Sequence, residues 1–156
     1  MELALLFEGV LRFDESTEVA FPAYADDGDW SGYVHGDGEV VGDRLAGKLR
    51  WTNRPRRRAD GTWLPRFDGV IATDDDAQVL FTFAGISWGV DDPFEYERRG
   101  AVASLTLATS NDRYRWVNTI FSVLEADIRP SADPERWRIR AFECRNDIID
   151  DPGDWL

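Results

Sequence analysis

From Gln78 to Ala84 the chain alternates so that Val79, Phe81 and Phe83 fall on one side of an extended strand, with Gln78, Leu80, Thr82 and Ala84 on the other. Both sides are largely apolar or small. That suits a strand with one face on a core and the other lining a cavity or covered by another segment. Similar segments rich in β-branched and aromatic residues recur between clusters of Gly, Asp, Asn and Pro, and helical periodicity is scarce. About eight such segments are readable, near residues 2–13, 31–41, 44–52, 63–73, 77–87, 99–109, 114–127 and 137–145.

The turns between them set the order of pairing. Asp74-Asp75-Asp76 separates Val70-Ile71-Ala72-Thr73 from the strand at Gln78, and short acidic loops of this kind close hairpins. Ser110-Asn111-Asp112-Arg113 predicts a second hairpin between the sixth and seventh segments. Antiparallel order follows, because parallel strands need crossovers of about a dozen residues or more. Only Asp133-Pro134-Glu135-Arg136 looks like a helix start, with Asp133 as cap and room for a single turn. The expectation is an all-β fold with minimal helix: a closed antiparallel barrel of about eight strands, whose interior is filled by side chains or holds one small ligand. A β-sandwich is the alternative.

Length adds that one domain is enough: the 156 residues read as a single barrel, with 146–156 as an acidic C-terminal tail that Trp155 could dock. Seven tryptophans and nine phenylalanines provide a large apolar interior. The formal charge of -12 repels phosphate backbones and anionic headgroups, so nucleic-acid and membrane partners are disfavoured. The run Arg54-Pro55-Arg56-Arg57-Arg58 is the local exception, readable as a solvated loop tip or as an anion-binding patch. No apolar run reaches the length of a spanning helix, and the first residues lack the marks of a signal peptide. With Cys144 as the single cysteine, a cytoplasmic protein without an internal disulfide is expected.

Candidate chemistry is sparse. His35 is the only histidine, so a histidine-based metal site is excluded by count. Asp26, Asp27 and Asp29 lack the bidentate glutamate and flanking helices of a calcium loop and read as turn carboxylates. The glycines of Gly36-Asp37-Gly38-Glu39-Val40-Val41-Gly42 sit among strand-forming residues, where they mark turns, bulges or close backbone approach rather than a phosphate loop. Neither a metal nor a cofactor is expected. His35 could serve as a general base or be an ordinary solvated histidine. Arg66 and Asp68 share one strand face and could orient a polar ligand inside a pocket or pair on the surface. Tyr114, Trp116 and Asn118, read as alternate residues of a strand, combine flat apolar area with hydrogen-bonding capacity and suit a ligand wall, or Trp116 is simply core.

At these residues the chain resembles the small bacterial and fungal proteins known as domain of unknown function 3237. The resemblance lies in Gly38-Glu39-Val40-Val41-Gly42-Asp43-Arg44-Leu45-Ala46-Gly47, Thr73-Asp74-Asp75-Asp76, Phe81-Thr82-Phe83-Ala84-Gly85 and Tyr114-Arg115-Trp116-Val117-Asn118. Asp76 stands where the family's turn has glycine. Arg50-Trp51-Thr52-Asn53-Arg54 stands where the family has Gly-Gly-Ala-Asp-Trp, with Trp51 as a displaced tryptophan, and Arg66 and Asp68 exchange the charges of the family's Asp-any-Arg pair. The resemblance implies a small antiparallel barrel with an internal pocket, calycin-like or similar to allene oxide cyclase. The expected ligand-binding set is Trp51, Arg66, Asp68, Tyr114, Trp116, Asn118 and His35, with no catalytic residue assigned. The functional expectation is binding of a small, partly apolar organic molecule. A cofactor-independent isomerase, cyclase or lyase is the alternative, and a third reading is an assembly protein, such as a homodimer, joined through a strand edge or an aromatic patch.

Overall fold

A period of two governs nearly every element of the structure, a computed structural model that describes residues 1–22, 30–131 and 136–146. Arg99, Ala101, Ala103, Leu105 and Leu107 are buried while the residues between them face outward, and Trp137, Ile139 and Ala141 repeat the pattern near the end of the chain. Ten strands result: β1 Glu2–Pro22, β2 Trp30–Val41, β3 Gly47–Asn53, β4 Arg56–Arg57, β5 Trp63–Leu64, β6 Arg66–Thr73, β7 Gln78–Gly89, β8 Arg99–Ala108, β9 Phe121–Arg129 and β10 Arg136–Arg145. Eight long ones close a ring of antiparallel pairs, β1–β2–β3–β6–β7–β8–β9–β10 and back to β1. The fold is therefore the closed antiparallel barrel that the alternation predicts. The helix start expected at Asp133, the acidic residues 26, 27 and 29, and the tail from 147 onward lie outside the described residues.

Three element boundaries differ from the sequence reading. The first strand runs on to Pro22, because an irregularity between Asp14 and Val19 absorbs the extra residues and lets pairing with β2 resume. The segment 63–73 is broken at Pro65, which has no N–H to give a ladder, so β5 and β6 are separate. The seventh segment does not begin as a strand: Asp112–Thr119 is a 3-10 helix capped by the Asn111 side chain, and β9 starts only at Phe121. Tyr114, Trp116 and Asn118 are accordingly not alternate residues of one strand face.

The interior is filled by rings. Phe67 is fully buried at the centre, stacked on Phe83 at 4.1 Å between centroids, with Trp51 at 4.9 Å, Trp137 at 5.0 Å and Phe13 at 6.2 Å. Glycines make room for them. Phe13, Gly36, Trp51, Gly69 and Phe81 are direct neighbours across five successive strands, so rings alternate with bare backbone. A Cβ on Gly36 would lie 2.6 Å from the Trp51 ring, and one on Gly69 would lie 2.6 Å from that of Phe81. The Trp51 indole also donates to the Asp37 carbonyl at 2.8 Å, which ties β3 to β2.

One end of the barrel is closed. There the 3-10 helix buries Val117 and packs Tyr114 and Trp116 against the core, with Ile120 just beyond its end doing the same. The Tyr114 hydroxyl donates to Asp75 and the Arg113 guanidinium bonds the Asp75 carbonyl, so the helix is fastened to the turn between β6 and β7. In that turn Asp76 adopts a left-handed φ of 64°, a conformation aspartate tolerates better than most residues with a Cβ. Removing the central ring by Phe67→Ala should lower stability by about 3–5 kcal/mol, measured by chemical denaturation. A loss below about 1 kcal/mol would mean that the surrounding rings collapse into the space and that Phe67 does not organise the interior.

Candidate functional site

The opposite end of the barrel stays open because a short arm extends the wall there. Beyond Asn53 the chain leaves the ring and pairs Arg57 and Arg56 of β4 with Trp30 and Ser31 of β2. It turns back so that Trp63 of β5 faces Ser87 of β7. The arm is pinned by Gly32 N–H to the Pro55 carbonyl at 2.9 Å, by Arg54 N–H to the Arg66 carbonyl at 2.9 Å, and by Arg66 N–H to the Asn53 side chain at 3.1 Å. Its tip is an Arg58 to Thr62 turn with Gly61 at a φ of +86°, where a Cβ would also strike the Pro93 carbonyl. Part of the arginine run is thus strand and not loop tip: Arg56 and Arg57 pair with β2, and the Arg57 guanidinium lies 5.7 Å from the centre of the Trp63 ring.

Inside this extension lies a small recess with a cavity volume of about 80 Å³. Phe13 and Trp137 line it, and both belong to the aromatic cluster that fills the barrel below. Trp30 and Trp63 form one side, edge to face at 4.9 Å, with Tyr96 6.4 Å beyond Trp63. Tyr33, Val34, Pro55 and Pro65 complete the apolar lining. Glu15 and Glu18, carried by the irregular stretch of β1, are exposed residues on the rim. Three polar side chains reach the recess from within the barrel wall: Asn53, Ser87 and Arg99. Arg99 is only 6% exposed, and its guanidinium lies 4.8 Å from the Trp63 ring centre and 5.1 Å from that of Tyr96.

The residues expected from sequence to bind ligand do not line this recess. Trp51 is buried in the core, one level further in. Arg66 and Asp68 lie on the outside of β6, 68% and 52% exposed, with 4.0 Å between them and with Asp68 also accepting from the Thr82 hydroxyl. His35 is exposed on β2, opposite Thr52. Tyr114, Trp116 and Asn118 belong to the 3-10 helix at the closed end, where Arg44 covers the Trp116 ring at 3.7 Å and Asn118 holds both backbone groups of Thr109. Sequence reading missed Trp63, Ser87, Arg99 and Trp137. A signal for two of them was present: continuing Val79, Phe81 and Phe83 in steps of two reaches Ser87, and stepping back from Leu105 reaches Arg99.

Among the described residues no cluster of three or more His, Cys, Asp or Glu is placed to hold a metal ion, and no helix is long and apolar enough to cross a membrane.

No protein-family model matches the chain, and no curated protein matches it in sequence. Solved structures do match in fold. A protein of unknown function from Clostridium acetobutylicum ATCC 824 superposes with a TM-score of 0.79 at 17% identity, over 93% of this chain and 100% of that one. A beta-barrel like protein from Acinetobacter baumannii AYE gives 0.76 at 15% identity, over 92% and 96%. An enzyme from Penicillium herquei gives 0.62 at 19% identity, over 91% and 94%. At these identities the likeness defines a class, the small closed β-barrels, and says nothing of chemistry.

The arm that walls the recess carries its own acid sensitivity. Asp60 is held below the usual carboxylate range first by the Thr62 backbone N–H at 3.0 Å, then by the Thr62 hydroxyl and by Arg58 at 2.6 Å, with partial desolvation opposing them. A carboxylate lowered in the folded state stabilises the turn fully above its ordinary value of roughly 3.9 and loses that contribution as pH falls below it. Amide signals of Gly61 and Thr62 should therefore shift, and their protection from exchange relative to an unfolded chain should fall, as pH approaches about 3, and Asp60→Asn should flatten that response. An unchanged profile in the variant would show that the turn is held by its backbone bonds alone.

Proposed function

We propose that this barrel binds a small, partly apolar organic molecule in the recess between the β4–β5 arm and the inner aromatic cluster. One observation carries the reading: the lumen below is packed with rings, whereas the end opposite the 3-10 helix keeps an open concavity lined by three tryptophans. Concave sites with aromatic walls and a few placed polar groups are the usual form of small-molecule sites.

Ligand-observed NMR with a library of aromatic fragments tests it. Fragments that bind the wild type should lose about tenfold or more in affinity with Trp63→Ala, which removes one side of the recess, and should bind His35→Ala and Asn118→Ala unchanged. Equal binding to Trp63→Ala would place the ligand elsewhere.

A second reading is favoured by Glu15 and Glu18, two carboxylates on the rim of a recess whose inner end carries Ser87 and Arg99. Such a pairing of acceptors and donors suits a cofactor-independent isomerase, cyclase or lyase, and a protein of similar fold is described as an enzyme. Replacing both by glutamine separates the readings: ligand binding survives under either, while turnover of a converted ligand is lost only under the second.

A further inference from the structure

The apolar character of both sides of β7, legible in the sequence, is used on one side only by the core. Val79, Phe81 and Phe83 are buried, while Leu80, Ile86 and Trp88 point out of the wall and are exposed, Trp88 by 42%. β8 continues the pattern. Exposed Val102 is directly opposite Ile86, and Gly100 is opposite Trp88, whose ring lies 3.2 Å from where a Cβ on that glycine would stand. Not one outward position of β7 or β8 carries a charge, the remaining ones being Ala, Ser, Thr or Gln. In a chain that is 31% charged the absence is local: β10 presents Arg136, Arg138 and Arg140 outward, and β6 presents Arg66 and Asp68. Charge depletion around an exposed aromatic residue is the composition of an interface core, and tryptophan is a frequent anchor there.

We propose that this face binds a second copy of the chain across a two-fold axis running along the β7–β8 seam. A contact of that symmetry needs a surface complementary to itself, and the strand register supplies one. Rotation about such an axis lays β7 of one copy on β8 of the other. Ile86 then meets Val102, Thr82 meets Thr106, and the two Trp88 rings, each leaning over its own Gly100, meet at the axis. The flanking strands match in charge. β6 presents Arg66 level with Ala84, and β9 presents Glu125 level with Val102, one pleat further along the seam, so Arg66 of each copy approaches Glu125 of the other. Within the chain Arg66 has only a 4.0 Å ion pair with Asp68, and Glu125 pairs with Arg140. The net charge of -12 makes the copies repel at long range, so the contact forms at salt concentrations that screen it.

Sedimentation equilibrium of the full chain at about 0.15 M salt is the test. The expected result is a monomer–dimer equilibrium that saturates at two copies and is weakened about tenfold or more in Trp88→Glu and in Val102→Arg. Because those substitutions also alter the wall itself, a charge exchange gives an independent arm. Arg66→Glu alone should shift the equilibrium toward monomer, and adding Glu125→Arg should restore it, which a merely adhesive patch does not do. A chain that stays monomeric up to about 1 mM overturns the proposal, whatever other partner the face then takes. Dimers unchanged in both Trp88→Glu and Val102→Arg place the contact elsewhere and overturn it. Association that continues past two copies, or a double charge variant that fails to recover, overturns the two-fold axis along the seam.

Discussion

The packing of rings around Phe67 is the constraint on which the remaining structure depends. An eight-stranded barrel has an interior just wide enough for side chains to fill, and here five rings from five strands meet within 6.2 Å of the Phe67 centroid or of one another. They fit because neighbouring positions on β2 and β6 carry glycine instead of a side chain. The alternation of Phe13, Gly36, Trp51, Gly69 and Phe81 around the wall lets each ring lie over bare backbone, so the sheet curls tightly without crowding its own lumen. A cluster so placed divides the tube: everything toward the 3-10 helix is core, and any usable space must lie beyond Phe13 and Trp137.

That space exists only because the connection between β3 and β6 does more than join them. Both strands end at the level of Asn53 and Arg66, and the arm continues the wall by inserting β4 and β5 between β2 and β7. The mouth is thus a second ring of different membership on top of the first. The inserted strands are two residues long, yet they bring Trp63 against Trp30 and over Arg99. Around the recess the ring strands contribute Trp30, Ser87, Arg99 and Trp137, and the arm contributes Trp63.

Much of the scaffold could be read from the chain and little of the site. Strands such as β7 and β8 announce themselves by alternation over ten or more residues, and the acidic turn at Asp74-Asp75-Asp76 pairs β7 with β6. Elements of two residues have no period to detect, which is why β4 looked like a charged loop, and the 3-10 helix at Asp112 is too short to break the strand pattern that Tyr114, Trp116 and Val117 suggest. The lining residues Phe13, Trp30, Trp63, Ser87, Arg99 and Trp137 come from six strands and meet only through closure of the ring. Arg66 and Asp68 show the reverse: their shared face was legible, but its direction depends on Phe67 pointing inward.

Parity also makes Arg99 informative. It occupies an inward position of β8, in phase with Ala101, Ala103, Leu105 and Leu107, where an apolar side chain would meet no desolvation penalty. Cation–π contact with Trp63 and Tyr96 offsets part of that penalty, by roughly 0.5–2 kcal/mol each. The side chains that provide this relief belong to the arm and to the connection after β7, not to the ring. Charge, aromatic cover and the donors of Ser87 and Trp137 therefore converge at one level of the barrel and at no other level among the described residues. A fold shaped by apolar packing alone would have filled that level as it filled the one below, so Arg99, Ser87 and Asn53 mark the level at which the interior changes character.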